Sequence, residues 1–471
     1  MLQKLTLAFV FAASTFAVAQ QASTGEFTLS LAGDSILHQR LSTFDDPKYL
    51  SWIDRIRKSD AAFVNLESQL SETKHPGSAA AWSGGIYLYS PAYLADEYKW
   101  AGFNLISVGN NHAFDYGAEG LKSSIRVLDK AGLVWAGAGE NLAYARNASF
   151  LETKHGRVAL ISVTSTLEPG SWASEQRKDL PGRFGLNPLR HKTTYTVDEQ
   201  TLEGIRKAAN LASPGSAKEG EPTVSLGEAT YKIGPLGVHT EADKKDFDGI
   251  IKAVKDAREQ ADWVIVVIHG HEDSAANPSG AADFLVDFAH AVIDAGADVF
   301  ANHAPHDVRG IEVYKGRPIF YGLGGFAWDG HITDFQPSDL YEKRGLSADS
   351  SISDFWTYLK KQGTVPGLAK ATDAPEYGRR EAALNETSAK SAVYKLTFSP
   401  DHKLEKIYID PIALDWVYNS AASFRWQHSD GVPGPASAED AKKIIAIITK
   451  KSAALGTKVI DKGDHAEVVF E

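Results

Sequence analysis

Asn104-Leu105-Ile106-Ser107-Val108-Gly109-Asn110-Asn111-His112-Ala113-Phe114-Asp115-Tyr116-Gly117 is the stretch that decides how the chain is read. The apolar run Phe103 to Val108 closes on an amide, an imidazole and a carboxylate. A helix-like segment, Gly117 to Ala131, follows, and Gly132 ends it. A buried strand feeding a helix through a polar turn is the unit of open α/β folds. Such folds place their chemistry at the carboxyl ends of strands.

Other apolar runs repeat the pattern. Phe27 to Ala32 runs into Gly33-Asp34, with His38 nearby. Ala61 to Leu66 ends at Glu67. Trp263 to Ile268 ends at His269-Gly270-His271-Glu272, and Asp298 to Ala301 ends at Asn302-His303, with His306 beyond. Further strands are expected at Leu133 to Ala136 and Arg157 to Val163, and helices at Pro47 to Lys58, Pro91 to Ala101, Lys244 to Gln260 and Ala281 to Ala295. This alternation predicts an α/β fold with a parallel or mixed sheet, the polar strand ends lying along one edge.

Two stretches break the rhythm. Residues 168–242 carry repeated Pro-Gly signals and read as an insertion, with a helix near Asp198 to Leu211 lying over the active face. Residues 329–390 read as a second irregular insertion. Residues 391–471 supply a hairpin about Pro400-Asp401, a helix at Ala438 to Ala454 and a last strand, completing the domain.

Composition narrows the chemistry. The chain has 471 residues, a formal net charge of -11 and no cysteine. The acidic balance argues against nucleic acid as a partner, and an anionic substrate needs local cations to offset that field. Without cysteine, disulfides, thiolate zinc sites and Cys nucleophiles are excluded, so a metal site must use His, Asp, Glu and Asn. Lys4, the apolar Leu5 to Val18 and the small-x-small Ala17-Val18-Ala19 predict a cleaved signal peptide over residues 1–19. The run is shorter than the roughly 20 residues of a membrane span. A secreted or periplasmic protein is expected.

Carboxylates, an Asn carbonyl and neutral imidazoles meeting at strand ends suit a dinuclear site. Two ions roughly 4 Å apart would clamp a phosphoryl or carbonyl oxygen. Each group also has a plainer reading: Asp34 as a turn residue, Glu67 as a loop carboxylate, His112 as a packed core histidine, His271 as a loop cap. Asp115 sharpens the reading of His112, because a carboxylate three residues on can orient the ring. Trp172, Phe184, Trp356 and Tyr358 in the insertions fit either a polymer groove or ordinary packing.

The motifs GDSILH (Gly33 to His38), VNLES (Val64 to Ser68), GNNHAFDYGAEGL (Gly109 to Leu121), VIVVIHGHE (Val264 to Glu272) and NHAPHDVRGIEVYKGRPIFYGLGGF (Asn302 to Phe326) resemble, in this order, those of the CapA family. These are capsule and poly-γ-glutamate biosynthesis proteins related to calcineurin-like metallophosphoesterases. The resemblance covers residues 26–328, apart from the first insertion. It implies a layered α/β/β/α metallophosphoesterase-like sandwich with a C-terminal appendage. It further implies divalent metal ions, two in number (Mn, Fe or Zn), and action on an anionic polymer or its phosphorylated precursor, with a membrane synthase complex as a partner. By motif, Asp34, Glu67, Asn111, His269, His303 and His306 correspond to metal ligands, and His112 to the group that touches the reacting oxygen, supported by Asp115. The chain departs from the pattern in places. Ala304 replaces the first His of His-Pro-His, His-Gly-His-Glu replaces His-Trp-Gly-x-Glu, Gly325 replaces an Asn, and Ile36 stands where Asp-x-His has its His. Three functional readings follow: a metal-dependent hydrolase or transferase of polymer synthesis, a polymer-binding assembly protein on the same fold, and an extracytoplasmic metallophosphoesterase.

Overall fold

The computed structural model describes residues 25–83, 85–329, 333–362, 390–414 and 431–470. The expected signal peptide, and part of the second insertion, lie outside the described residues. Among those described, no helix is long and apolar enough to cross a membrane.

The fold is mixed α/β, and its main body is two sheets. The first is built on strand Phe27–Ile36. Strands Ala61–Leu66, Leu105–Ser107 and Val134–Ala136 run parallel beside it in that order. On its other side Lys390–Phe398 pairs antiparallel with its first half, and Gly325–Trp328 pairs parallel with its end. The C-terminal strands Leu404–Ala413, Ala466–Val469 and Lys458–Asp461 extend this edge. The second sheet has parallel strands Gly156–Thr164, Trp263–His269, Val299–Asn302 and Arg317–Phe320 at its centre. Strands Ser149–Thr153 and Ile311–Tyr314 form its edges.

Strand periodicity explains the layering. Phe27, Leu29 and Leu31 alternate with residues facing the other way, as do Trp263, Ile265 and Val267. These odd-numbered side chains, with Phe63, Leu105 and Leu160, fill a core between the sheets. The opposite faces are covered by helices. Pro47–Arg57, Leu94–Ala101 and Gly117–Ala131 bury Trp52, Tyr98 and Leu128 against Val64 and Ile106. Lys244–Arg258 and Asp283–Asp294 bury Val254 and Phe288 against Val264 and Val266. A sheet covered on both faces needs strands apolar at every position, which is why WVIVVI shows no alternation in sequence.

Three expectations are corrected. The first strand does not stop at Ala32 but continues to Ile36, because Gly325–Trp328 pairs beside its end. The helix expected from Pro91 begins at Leu94, because Tyr89–Pro91 forms a short parallel pair with Gln69–Ser71. The first insertion holds the expected helix, Glu199–Ala212, but folds it onto a four-stranded sheet with a small core of Val197, Leu202, Ala209 and Val224. This unit is fastened beside the Asp283–Asp294 helix, where His191 stacks on Phe284 at 4.5 Å. It is not over the active face: Glu168, at the start of the insertion, is the one residue of 168–242 that lines the cavity described below.

Candidate metal centre

The candidate residues meet where the two sheets abut, not along the edge of one. Asp34 comes from the first sheet. A Cβ on Gly33 would lie 1.6 Å from the carbonyl oxygen of Gly324, so only glycine lets the strands pass this closely. The Asp34 backbone N–H then donates to that oxygen at 3.2 Å. Its carboxylate faces the second sheet. Oδ1 lies 2.8 Å from His303 Nδ1 and Oδ2 lies 3.0 Å from His306 Nδ1. His269 Nδ1 is 3.7 Å from Oδ1. The amide of Asn65 donates to Oδ1 at 2.8 Å, and Asn110 donates to Asn65 at 3.2 Å. Two amides thus hold the carboxylate from behind.

Glu67 is fully buried, with Oε1 3.6 Å from His269 Nε2 and 3.7 Å from His306 Nε2. Two groups of potential ligand atoms result, Asp34 with His269 and His303, and Glu67 with His271 and His306. Within each, the atoms lie within 4.8 Å of one another. Both oxygens of Glu67, Oδ1 of Asn111, and Nε2 of His269 and His303 are buried with no hydrogen-bond partner among the described residues. Orphaned buried acceptors are costly unless something electropositive sits among them. The donor set, oxygen and imidazole nitrogen, fits divalent first-row metals.

The electrostatics agree. Burial pushes the Glu67 carboxyl well up, and the charges of Asp34 and Asp115 push it further. Burial acts on Asp34 in the same direction, yet hydrogen bonds from His269, His303 and His306 hold it well below the ordinary carboxylate range. Burial drives His269 well down, and drives His271 down to about 3 with help from His306. Neutral imidazoles are the form that binds metal. A cation between the groups would relieve the repulsion that raises Glu67.

Supporting contacts fix the second sheet's loops. Asn302 pairs with Gly270 in both directions, at 3.1 and 2.9 Å. Glu272 accepts from Ser165 at 2.7 Å, and the His271 N–H donates to Thr166 at 2.9 Å. His306 sits in left-handed backbone, φ 54°. That costs a residue with a Cβ roughly 1 kcal/mol or more and is found most often at functional sites.

His112 stands beside the ligand groups. Its Nδ1 is 2.8 Å from Asp115 Oδ2, which also accepts the Leu88 N–H at 2.7 Å. Burial raises the Asp115 carboxyl, against the pull of His112 and the Leu88 amide. With Nδ1 engaged, Nε2 is the atom His112 has free for a substrate. Asn111, His112, His271 and His306 line a cavity of about 660 Å³, with Ile36 and Trp328 on its walls.

All eight residues singled out for the site in the sequence are therefore brought together here. His271, set aside there as a loop cap, joins the second group. Its signal was its position two residues after His269, which keeps both rings near one face as the chain leaves the strand. His38 belongs to neither group; it faces Asp329 at 3.4 Å and Thr333 at 3.3 Å. Trp356 packs in an aromatic cluster with Tyr87, Tyr116 and Phe355. Trp172, Phe184 and Tyr358 are also absent from the cavity lining.

The fold and site define a mixed α/β protein with His and carboxylate groups suited to a cation. The chain belongs to the family described as "Bacterial capsule synthesis protein PGA_cap", which matches residues 28–329. It is 30% identical over 436 residues to the uncharacterized protein y4sH of Sinorhizobium fredii, covering 92% of this chain and 91% of that one. It is 25% identical to the capsule biosynthesis protein CapA of Bacillus anthracis, covering 81% of this chain and 77% of that one. The PGA biosynthesis protein CapA of Bacillus subtilis is also 25% identical, with 74% of each chain covered.

Proposed function

We propose that this chain is a secreted or periplasmic protein of capsule or poly-γ-glutamate synthesis. In this reading a metallophosphoesterase-like site holds two divalent ions (Mn, Fe or Zn) and cleaves or transfers a phosphoester or amide bond. The partners are an anionic polymer or its phosphorylated precursor, and a membrane synthase complex. The observation that carries the reading is the convergence of buried, partnerless ligand atoms from both sheets at the Asp34–Glu67 seam. The names of the Bacillus relatives supply the polymer.

Asp34, His269 and His303 would hold one ion, and Glu67, His271 and His306 the other, with Asn111 adjoining. Bound ions would supply Lewis acidity to the reacting oxygens. The chain's own residues do the rest. His112 carries a proton to or from the substrate at Nε2, and Asp115 fixes its ring and stabilises the charged form. Ile36 and Trp328 keep water off one side of the cavity.

Ile36 also favours a second reading. It lines the cavity where related hydrolases carry a His, and polymer binding without turnover needs no such ligand. One experiment separates the two. The metal-loaded protein is assayed against γ-linked glutamate polymer and phosphoesters, with His112→Ala as the comparison. The hydrolase reading expects turnover in the parent and its loss in the variant, with binding retained. Turnover that survives in His112→Ala would contradict it, and polymer binding without any turnover would establish the second reading.

A further inference from the structure

The cavity over the ligand groups has one feature that neither metal binding nor proton transfer uses. Arg344, which follows the helix Ser338–Lys343, lines it together with His112, His271 and His306. Asp34, Glu67 and Asp115 are buried against the lining residues His306 and His112, and Glu168 lines the cavity itself. Arg344 is the one permanent cation among the described lining residues. Among the described residues it makes no ion pair: Nη1 donates to the Leu340 carbonyl at 3.1 Å and Nη2 reaches the Gly85 carbonyl at 3.5 Å. Its guanidinium sits 5.0 Å from the centre of the Phe355 ring. The group is half-buried and, among the described residues, held in place by neutral hydrogen-bond partners.

We propose that Arg344 is the carboxylate-binding residue of the substrate site, and that the substrate carries a carboxylate on a short apolar stem beside its reacting bond. The inference rests on the metal-site reading above, which places the reacting bond at Asn111, His112, His271 and His306. A guanidinium presents two parallel N–H groups that match a carboxylate, and one already positioned loses little freedom on binding. Ile86, Leu359 and Trp328 provide an apolar wall for the stem. Inorganic phosphate has no apolar stem for that wall to hold, and in the metal-site reading it goes to the ions rather than to Arg344.

The test uses the full metal-loaded chain and two probes, a short γ-linked glutamate oligomer and inorganic phosphate. Affinities are measured by calorimetry for the parent, Arg344→Met and Arg344→Lys. Metal content and melting temperature are recorded on the same samples. The oligomer is expected to bind Arg344→Met about ten- to a hundredfold more weakly. Arg344→Lys should fall between, and phosphate affinity should be unchanged. Unchanged oligomer affinity in a fully metallated, folded Arg344→Met protein would overturn the assignment, as would a metallated parent that binds no oligomer. Equal losses for both probes would overturn the choice of a carboxylate. A parent that takes up no metal yet shows the Arg344 dependence would instead fail the metal reading and leave the carboxylate site standing.

Discussion

Oδ1 of Asp34 and Nδ1 of His303 lie 2.8 Å apart although 269 positions separate them in the chain. The pair bridges the seam between the two sheets, so neither sheet alone contains the site. The same seam accounts for the burial of Asp34, Glu67, His269 and His303 together. The packing of the sheets and the chemistry of the centre are therefore tied to the same few atoms.

Gly33 sets how closely the strands approach at this seam. Replacing it with Ala would drive a Cβ into the Gly324 carbonyl, which is backbone and cannot rotate away. Gly33→Ala is expected to lose about 2–3 kcal/mol of stability and to weaken metal binding by displacing Asp34. Urea unfolding and metal titration of the same protein check both.

In the proposed reading Asp115 acts through His112, 2.8 Å away. In Asp115→Asn the amide oxygen can still accept the Leu88 N–H, so the fold should hold. The imidazole loses the carboxylate that stabilises its charged form. Turnover is expected to fall about a hundredfold or more, in kcat more than in KM, with metal content unchanged. A loss confined to KM would count against a proton-transfer role.

Much of the site was legible in the sequence because strand ends are local signals. Asn111, His112 and Asp115 lie in one turn, and His269 closes an uninterrupted apolar run. That the ends belong to two sheets was not readable from periodicity. Strands buried on both faces look alike whichever sheet they join. The placement of Arg344 on the cavity was equally hidden, since only the folded chain brings it to the same cavity as His112 and His306. The helix of the first insertion was expected near Asp198 to Leu211 and lies at Glu199–Ala212. Its location was set by long-range contacts such as Arg190 with Asp246, which spacing does not report.

Asp246 tests that anchorage. It is fully buried and accepts from Arg146 at 2.7 Å and from Arg190 at 2.6 and 2.9 Å. Asp246→Ala strands the mostly buried Arg146 without its counter-charge, and should cost about 3–5 kcal/mol. Denaturant unfolding measures the loss. Proteolysis is expected to cut first within the insertion.

Asp410 supplies a pH dependence away from the candidate metal centre. Burial pushes its carboxyl from the ordinary 3.8 up to about 6, outweighing Arg55, whose half-exposed guanidinium is 3.0 Å away but screened by solvent. The folded state therefore holds more protons than the unfolded state between these values. Its contribution to stability is full below about pH 4 and lost as pH rises through 6, by at most about 3 kcal/mol. Asp410→Asn removes this term. Relative to the parent, the variant should gain stability from pH 4 to pH 7 in urea titrations, and a flat difference would contradict the assignment.

The most direct measurement is metal content. The protein is purified without chelators and its metals are quantified, alongside Asp34→Ala, His269→Ala and His271→Ala. The two-group arrangement predicts about two ions per chain in the parent. It predicts loss of about one ion in each variant, the Asp34–His269–His303 ion in Asp34→Ala and His269→Ala and the Glu67–His271–His306 ion in His271→Ala. A folded parent that takes up no metal, even after reconstitution with manganese, zinc or iron, would contradict the account at its centre.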